Sequence, residues 1–162
     1  MNRQHKVFSW PVRVYFQDTD AGGVVYHASY VNFMERARTE WLRSFGYSNA
    51  GLMHELGVMF VVRSIRLDYL KPALLDDMLH VSAQIKEMGR SRVTLVQKVL
   101  RRPGAAEQSS PGSHAGQVKA EGADGMRGEE LLTEGEVHLV CVQCATFKPT
   151  AVPDVLRNQW KV

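Results

Sequence analysis

Val12-Arg-Val-Tyr-Phe-Gln-Asp-Thr-Asp-Ala-Gly-Gly-Val-Val-Tyr-His-Ala-Ser-Tyr-Val-Asn-Phe-Met-Glu-Arg-Ala-Arg-Thr-Glu-Trp41 is the stretch from which the fold can be read. Its first part alternates. Val12, Val14 and Phe16 stand against Arg13, Tyr15 and Gln17, the period of a half-buried strand. Its last part carries Tyr30, Phe33, Met34, Ala37 and Trp41 at helical spacing. Between them, Asp18 to His27 sets two carboxylates, two glycines and a histidine at a strand end and a helix start. The first N–H groups of a helix lack intrahelical partners, and the dipole there favours developing negative charge. A carboxylate beside them can act as a base or a nucleophile. Gly22 and Gly23 allow close approach of the backbone to a ligand. A polar turn capped by Ser29 is the plainer account of the same residues.

The helix is expected from Ser29, as N-cap, to about Phe45, with Gly46 at C′. Its outer face carries Arg36 and Glu40 at the i,i+4 spacing of an ion pair. A short helix is expected from Ser48 to Glu55. Four further strands follow: Met59 to Tyr69, Leu79 to Met88, Val93 to Arg101 and Leu132 to Cys144. Upstream, the first strand is expected over Val7 to Gln17. Pro153 starts a terminal helix. One early helix followed by consecutive antiparallel strands makes an α+β architecture, because the apolar stripe of the helix can be buried only against the sheet. The segment 103–128 breaks this order. Rich in Gly, Ala, Ser and Pro, it cannot bury enough surface to offset its ordering entropy and reads as a flexible insertion.

A length of 162 residues fits one domain, and 44% hydrophobic residues suffice for a core. No apolar run approaches the roughly 20 residues that span a bilayer. No signal-peptide pattern opens the chain, which points to the cytoplasm. A net charge of +3 is compatible with many anionic partners, but no dense basic block or reading helix points to nucleic acid. Cys141 and Cys144 form a Cys-x-x-Cys pair. A redox dithiol or half a zinc site is one reading. Packing as small hydrophobes in a buried strand is the favoured one, because strand residues three apart diverge. No metal spacing is convincing.

The run Trp10 to Arg43 resembles the YbgC-type acyl-CoA thioesterases, of the 4-hydroxybenzoyl-CoA thioesterase branch of the hotdog superfamily. The likeness continues through Phe60-Val-Val-Arg63, Leu75-Asp-Asp-Met78, Val140-Cys-Val142 and Lys148-Pro149. It implies a hotdog fold, an antiparallel sheet of about five strands wrapped around one long helix. It implies hydrolysis of an acyl-CoA to coenzyme A and a carboxylic acid. No cofactor is needed, coenzyme A being part of the substrate. It further implies a homo-oligomer, dimer or tetramer, with the site between two subunits. Members are associated with the Tol-Pal envelope system and phospholipid metabolism. A noncatalytic module that binds acyl-CoA or acyl carrier protein, peripheral at the inner membrane, is therefore the alternative.

On the same resemblance Asp20 takes the catalytic aspartate position, as general base or as nucleophile, and Asp18 stabilises the loop. The oxyanion donor falls on the backbone amide of His27, with Gly23 close by. The His27 side chain either orients water or packs the loop. Arg90 and Arg92, with Arg63 and Lys71 behind them, are candidates for the coenzyme A phosphates or are solvated charges. Tyr26, Met59 and Phe60 line an acyl channel or belong to the core. No serine-hydrolase elbow is present.

Overall fold

The computed structural model describes residues 7–103 and 128–160. Of the expected insertion, 104–127 lies outside the described residues. The order is β1 (Phe8–Arg13), a 3-10 turn (Phe16–Asp18), α1 (Ser29–Ser44), α2 (Asn49–Gly51) widening into a π-helical turn (Leu52–Leu56), β2 (Val58–Tyr69), β3 (Met78–Met88), β4 (Arg92–Arg101), β5 (Glu130–Gln143) and α3 (Asp154–Gln159). The strands form one antiparallel sheet in the order β1-β3-β4-β5-β2. α1 lies against β1, β3 and β4. This is the hotdog arrangement, and it places β1 and β2 at the two edges of the sheet.

The expected first strand is cut short. It stops at Arg13, because the Asp18 carboxylate accepts the Tyr15 N–H at 2.9 Å and the Asp18 N–H donates to Tyr15 O at 3.0 Å. These two bonds close a turn where alternation alone predicts extended chain. Phe16, expected on the core face, is 80% exposed as a result. Ser29 is also displaced from its expected role. It is the buried first residue of α1, and Ala28, which has no capping side chain, stands at the N-cap. The expected Arg36–Glu40 pair gives way to Arg43–Glu40, one residue closer along the helix. The other end behaves as read: Gly46 has φ +86° just past the C-cap. Ser48 caps α2 by accepting the Gly51 N–H at 3.0 Å.

The apolar stripe of α1 feeds two core clusters. Tyr30, Phe33, Met34 and Ala37 pack with Val12, Val14, Leu79, Val81 and Val99. Leu42 packs with Val58, Val93, Leu95, Leu156 and Trp160. Gln97 lies on β4 between Leu95 of one cluster and Val99 of the other. It is fully buried and fully tied: Nε2 donates to Met34 O and Ser82 O, both at 3.1 Å, and Oε1 accepts from Arg38 at 2.8 Å. An unsatisfied amide there would cost about 1–3 kcal/mol, which explains why a polar residue is tolerated only with every bond made. Cys141 belongs to the second cluster, and burial pushes its thiol up to about 11. A thiol held protonated is a poor nucleophile and a poor ligand. β5 ends at Gln143, so Cys144 falls just beyond the strand, and both cysteines are free.

Gly135 sits where β5 passes too close to β2 for a side chain. A Cβ there would stand 2.2 Å from Arg66 O and 2.5 Å from a Leu67 methyl. Backbone cannot give way cheaply. Gly135→Ala is therefore expected to destabilise the fold by about 1–3 kcal/mol, the usual cost of overpacking. At about 2–4 °C per kcal/mol for a chain of this size, a thermal melt resolves the change. An unchanged or higher Tm would mean that the β2–β5 seam absorbs a methyl group.

Candidate active site

Between β1 and α1 the chain makes a small looped hairpin. Thr19 bridges Val25, and the Asp20 N–H donates to Val24 O at 2.9 Å. The Gly23 N–H donates to Asp20 O at 3.0 Å, and Gly23 has φ +76°, a conformation that favours glycine. Asp20 Oδ1 accepts the Gly22 N–H at 2.8 Å, an Asx turn that fixes the carboxylate. A side chain at Gly22 would crowd that oxygen, its Cβ lying 3.1 Å away. Asp18 sits beneath, buried, holding the 3-10 turn. The two acids thus do different work. One is interior scaffold; the other is exposed and held by a single local bond.

Tertiary contacts hold the loop from outside. The Val25 N–H donates to Ala73 O at 2.9 Å, and the Tyr26 N–H to Asp18 O at 2.8 Å. The Tyr69 hydroxyl, at the end of β2, donates to His27 O at 2.9 Å. Tyr30 stands edge-on to Tyr69, with ring centroids 5.4 Å apart, and its hydroxyl oxygen accepts the Ala73 N–H at 3.0 Å. These residues enclose an open pocket of about 360 Å³, lined by Asp20, Val24, His27, Tyr30, Tyr69 and Lys71. Tyr26 flanks it, its ring 4.4 Å from that of His27.

The groups in the pocket divide cleanly by charge. Burial pushes the Tyr30 phenol above its ordinary value, and burial with Tyr30 beside it does the same for Tyr69. Both are neutral donors at neutral pH. Lys71 Nζ is 2.7 Å from Glu130, which also takes Arg101 at 2.8 Å. The bond from Lys71 holds the Glu130 carboxyl below the usual range. Lys71 therefore reaches the pocket already paired with Glu130, and Asp20 is the carboxylate lining it. Among the described residues no acceptor takes the His27 N–H, which lies two residues ahead of α1. The Gly23 N–H is engaged by Asp20 O, so Gly23 supplies the bend of the loop and not a free donor. Tyr30, read from the sequence as core, and Tyr69, read as a strand residue, are the pocket walls that periodicity did not single out.

The remaining candidates gather elsewhere. Met59 and Phe60 lie near the start of β2, and Phe60 packs on Trp160 with centroids 5.5 Å apart. Arg63 is the extra residue of a β-bulge between Val62 and Ser64. Arg90 and Arg92 are exposed at the β3–β4 turn, with no ion pair among the described residues. That turn is fixed from behind, where Arg157 donates to Gly89 O at 2.8 Å and Arg90 O at 2.9 Å. Tyr69 and Phe60 are nine positions apart on β2, about 30 Å of extended chain. Within one chain the two groups do not meet.

Among the described residues no group of three or more His, Cys, Asp or Glu side chains converges in a metal-binding arrangement. No helix among them is long and apolar enough to cross a membrane.

Residues 14–160 match the thioesterase-like superfamily. The acyl-CoA thioester hydrolase YbgC of Escherichia coli O6:H1 is 43% identical over 155 residues, covering 96% of each chain. The acyl-CoA thioesterase YbgC of Haemophilus influenzae is 36% identical, covering 90% of this chain and 88% of its own. Among solved structures, a probable thioesterase from Bartonella henselae superposes with a TM-score of 0.72 at 28% identity, over 91% of this chain and 99% of its own.

Proposed function

From the premise that this chain belongs to the thioesterase-like superfamily, in the group of the YbgC proteins, we propose that it hydrolyses acyl-CoA thioesters at the Asp20 pocket. One observation carries the assignment to that pocket: the exposed carboxylate Asp20 lines it together with His27, whose backbone N–H has no acceptor among the described residues. In this reading Asp20 takes a proton from water as it attacks the thioester carbonyl. The carbonyl oxygen becomes an oxyanion that accepts from the His27 N–H, where the helix terminus favours negative charge. Collapse expels the coenzyme A thiolate, which takes up a proton, and leaves the carboxylate. Direct attack by Asp20 is the competing route: a mixed anhydride forms with loss of the thiol, and water then cleaves it.

The complete site is a property of a two-fold dimer. β2 is a sheet edge, and Val61 and Val62 are exposed on it, 36% and 47%. Edge strands of this kind are normally covered. Antiparallel pairing of two β2 strands about a two-fold axis brings the Phe60 end of one chain to the Tyr69 end of the other. That unites the two separated groups of candidates: Asp20 with its pocket, and Met59, Phe60, Arg63, Arg90 and Arg92 of the second copy. The arginines then face the phosphates of coenzyme A.

The test is a hydrolysis panel of short aliphatic, long aliphatic and aromatic acyl-CoAs, with a thiol-reactive dye reading released coenzyme A. Turnover on at least one member supports the proposal. Binding of acyl-CoA with no release on any member would reject it in favour of the noncatalytic binding module.

A further inference from the structure

The Tyr69 hydroxyl carries a single proton, and that proton goes to His27 O at 2.9 Å. Among the described residues no other donor reaches that carbonyl, and the His27 N–H has no acceptor. On the other side of the same residue the Tyr26 carbonyl accepts the Ser29 N–H at 2.8 Å. That bond closes a turn onto the first residue of α1 and moves with the helix. Tyr69 is the link from His27 itself to the sheet.

Residues 69–73 serve as one ruler for both halves of the pocket. The Leu70 and Lys71 N–H groups donate to Leu132 O of β5 at 2.9 and 3.0 Å, and Lys71 Nζ pairs with Glu130 of the same strand. Arg101 of β4 donates to Pro72 O. From this anchored segment Ala73 O takes the Val25 N–H and so fixes the loop that carries Asp20. Tyr69, at the head of the segment, fixes His27. The carboxylate and the N–H are thus held in mutual register by one short stretch of chain. Tyr69 is 49% exposed, so water can satisfy His27 O in its absence without fixing its position.

We propose, on the hydrolase reading, that Tyr69 is a positioning residue: by holding His27 O it keeps the His27 N–H aimed at the oxygen that becomes the oxyanion. A backbone donor stabilises that oxygen only at hydrogen-bond distance, and a small misplacement is costly in rate. The ground-state thioester gains less from the same donor, so the loss falls on kcat and not on KM.

Tyr69→Phe removes the hydroxyl and keeps the ring, which stands edge-on to Tyr30 at 5.4 Å. Its melt is expected within about 4 °C of wild type. On the panel member that wild type hydrolyses fastest, kcat is expected to fall at least about tenfold, with KM within about threefold. The second readout is the carbonyl stretch. Asp20→Asn holds the same acyl-CoA, isotope-labelled at the carbonyl carbon, uncleaved for infrared difference spectroscopy. The bound carbonyl is expected to absorb at lower frequency than in buffer, and adding Tyr69→Phe is expected to shrink that downshift. Should Tyr69→Phe not fold, Tyr69→Leu is read in its place; failure of both to fold would make the bond purely structural and end the proposal. Wild-type kcat in Tyr69→Phe, a loss confined to KM, no downshift in Asp20→Asn, or a downshift that Tyr69→Phe leaves unchanged would overturn it while the hydrolase reading stands. No turnover by wild type on any member would reject the hydrolase reading itself, and the positioning role with it.

Discussion

Asp20→Asn is expected to lower turnover by about two to four decades, roughly 3–6 kcal/mol in the barrier, while the fold survives. The geometry makes this substitution unusually clean. Asp20 acts structurally through Oδ1, which accepts the Gly22 N–H. An asparagine carbonyl accepts the same bond, so the turn persists. What disappears is basicity. Asp18 provides the contrast. It is 7% exposed, and its carboxylate takes the Tyr15 N–H. Asp18→Ala leaves that donor without its acceptor and is expected to cost stability, about 1–3 kcal/mol, before it costs rate. Turnover numbers and melting curves of both variants give the answer. Near wild-type turnover in Asp20→Asn would sink the assignment of Asp20 as base or nucleophile.

The fold was largely legible because its strongest signals are periodic. The 3.6-residue stripe from Tyr30 to Ala37 and the alternation of Leu79, Val81, Ala83 and Ile85 both report burial directly, and all of these are buried. Reading failed where a side chain overrides the period. Phe16 continues the alternation of Val12 and Val14, yet the Asp18 carboxylate folds the chain back and sends Phe16 to solvent. No pattern of apolar residues encodes that bond. Arg36 illustrates a second limit. Spacing shows which charges can meet on a helix, and Glu40 has a candidate on either side; it takes Arg43.

The site was legible in part, for a related reason. Asp20 and His27 are seven positions apart and remain together, because a local loop carries both. Tyr69 meets them across 42 positions of chain, through the hydroxyl of a residue that alternation places only on a strand. Arg38 is harder still. On the helix it reads as one more outward charge among Arg36, Glu40 and Arg43. Only the partner strand, through Gln97, reveals that it points inward.

Two individually impaired variants are expected to restore each other when mixed. The pair is Asp20→Asn and the double variant Arg90→Ala with Arg92→Ala. The double variant should fold, because the turn is held by backbone carbonyls: Gly89 O and Arg90 O accept from Arg157, and Arg90 O also accepts the Val152 N–H at 2.8 Å. Losing two contacts to phosphate should raise KM at least about tenfold, with each charged hydrogen bond contributing about 1.5–3 kcal/mol. Suppose one site draws Asp20 from one subunit and the arginines from its partner. A mixed dimer then has one site with both lesions and one with neither. Random pairing makes about half the dimers mixed, and half of their sites are intact. Activity at low substrate should therefore return to about one quarter of wild type. Sites built within single subunits behave differently, since every site then carries one lesion or the other. The measurement is hydrolysis after the two proteins are unfolded together and refolded, against each refolded alone. Mixed activity no greater than the average of the two would reject the shared site. It would also leave the arginines at the far end of the sheet from the Asp20 pocket, with no role in its chemistry.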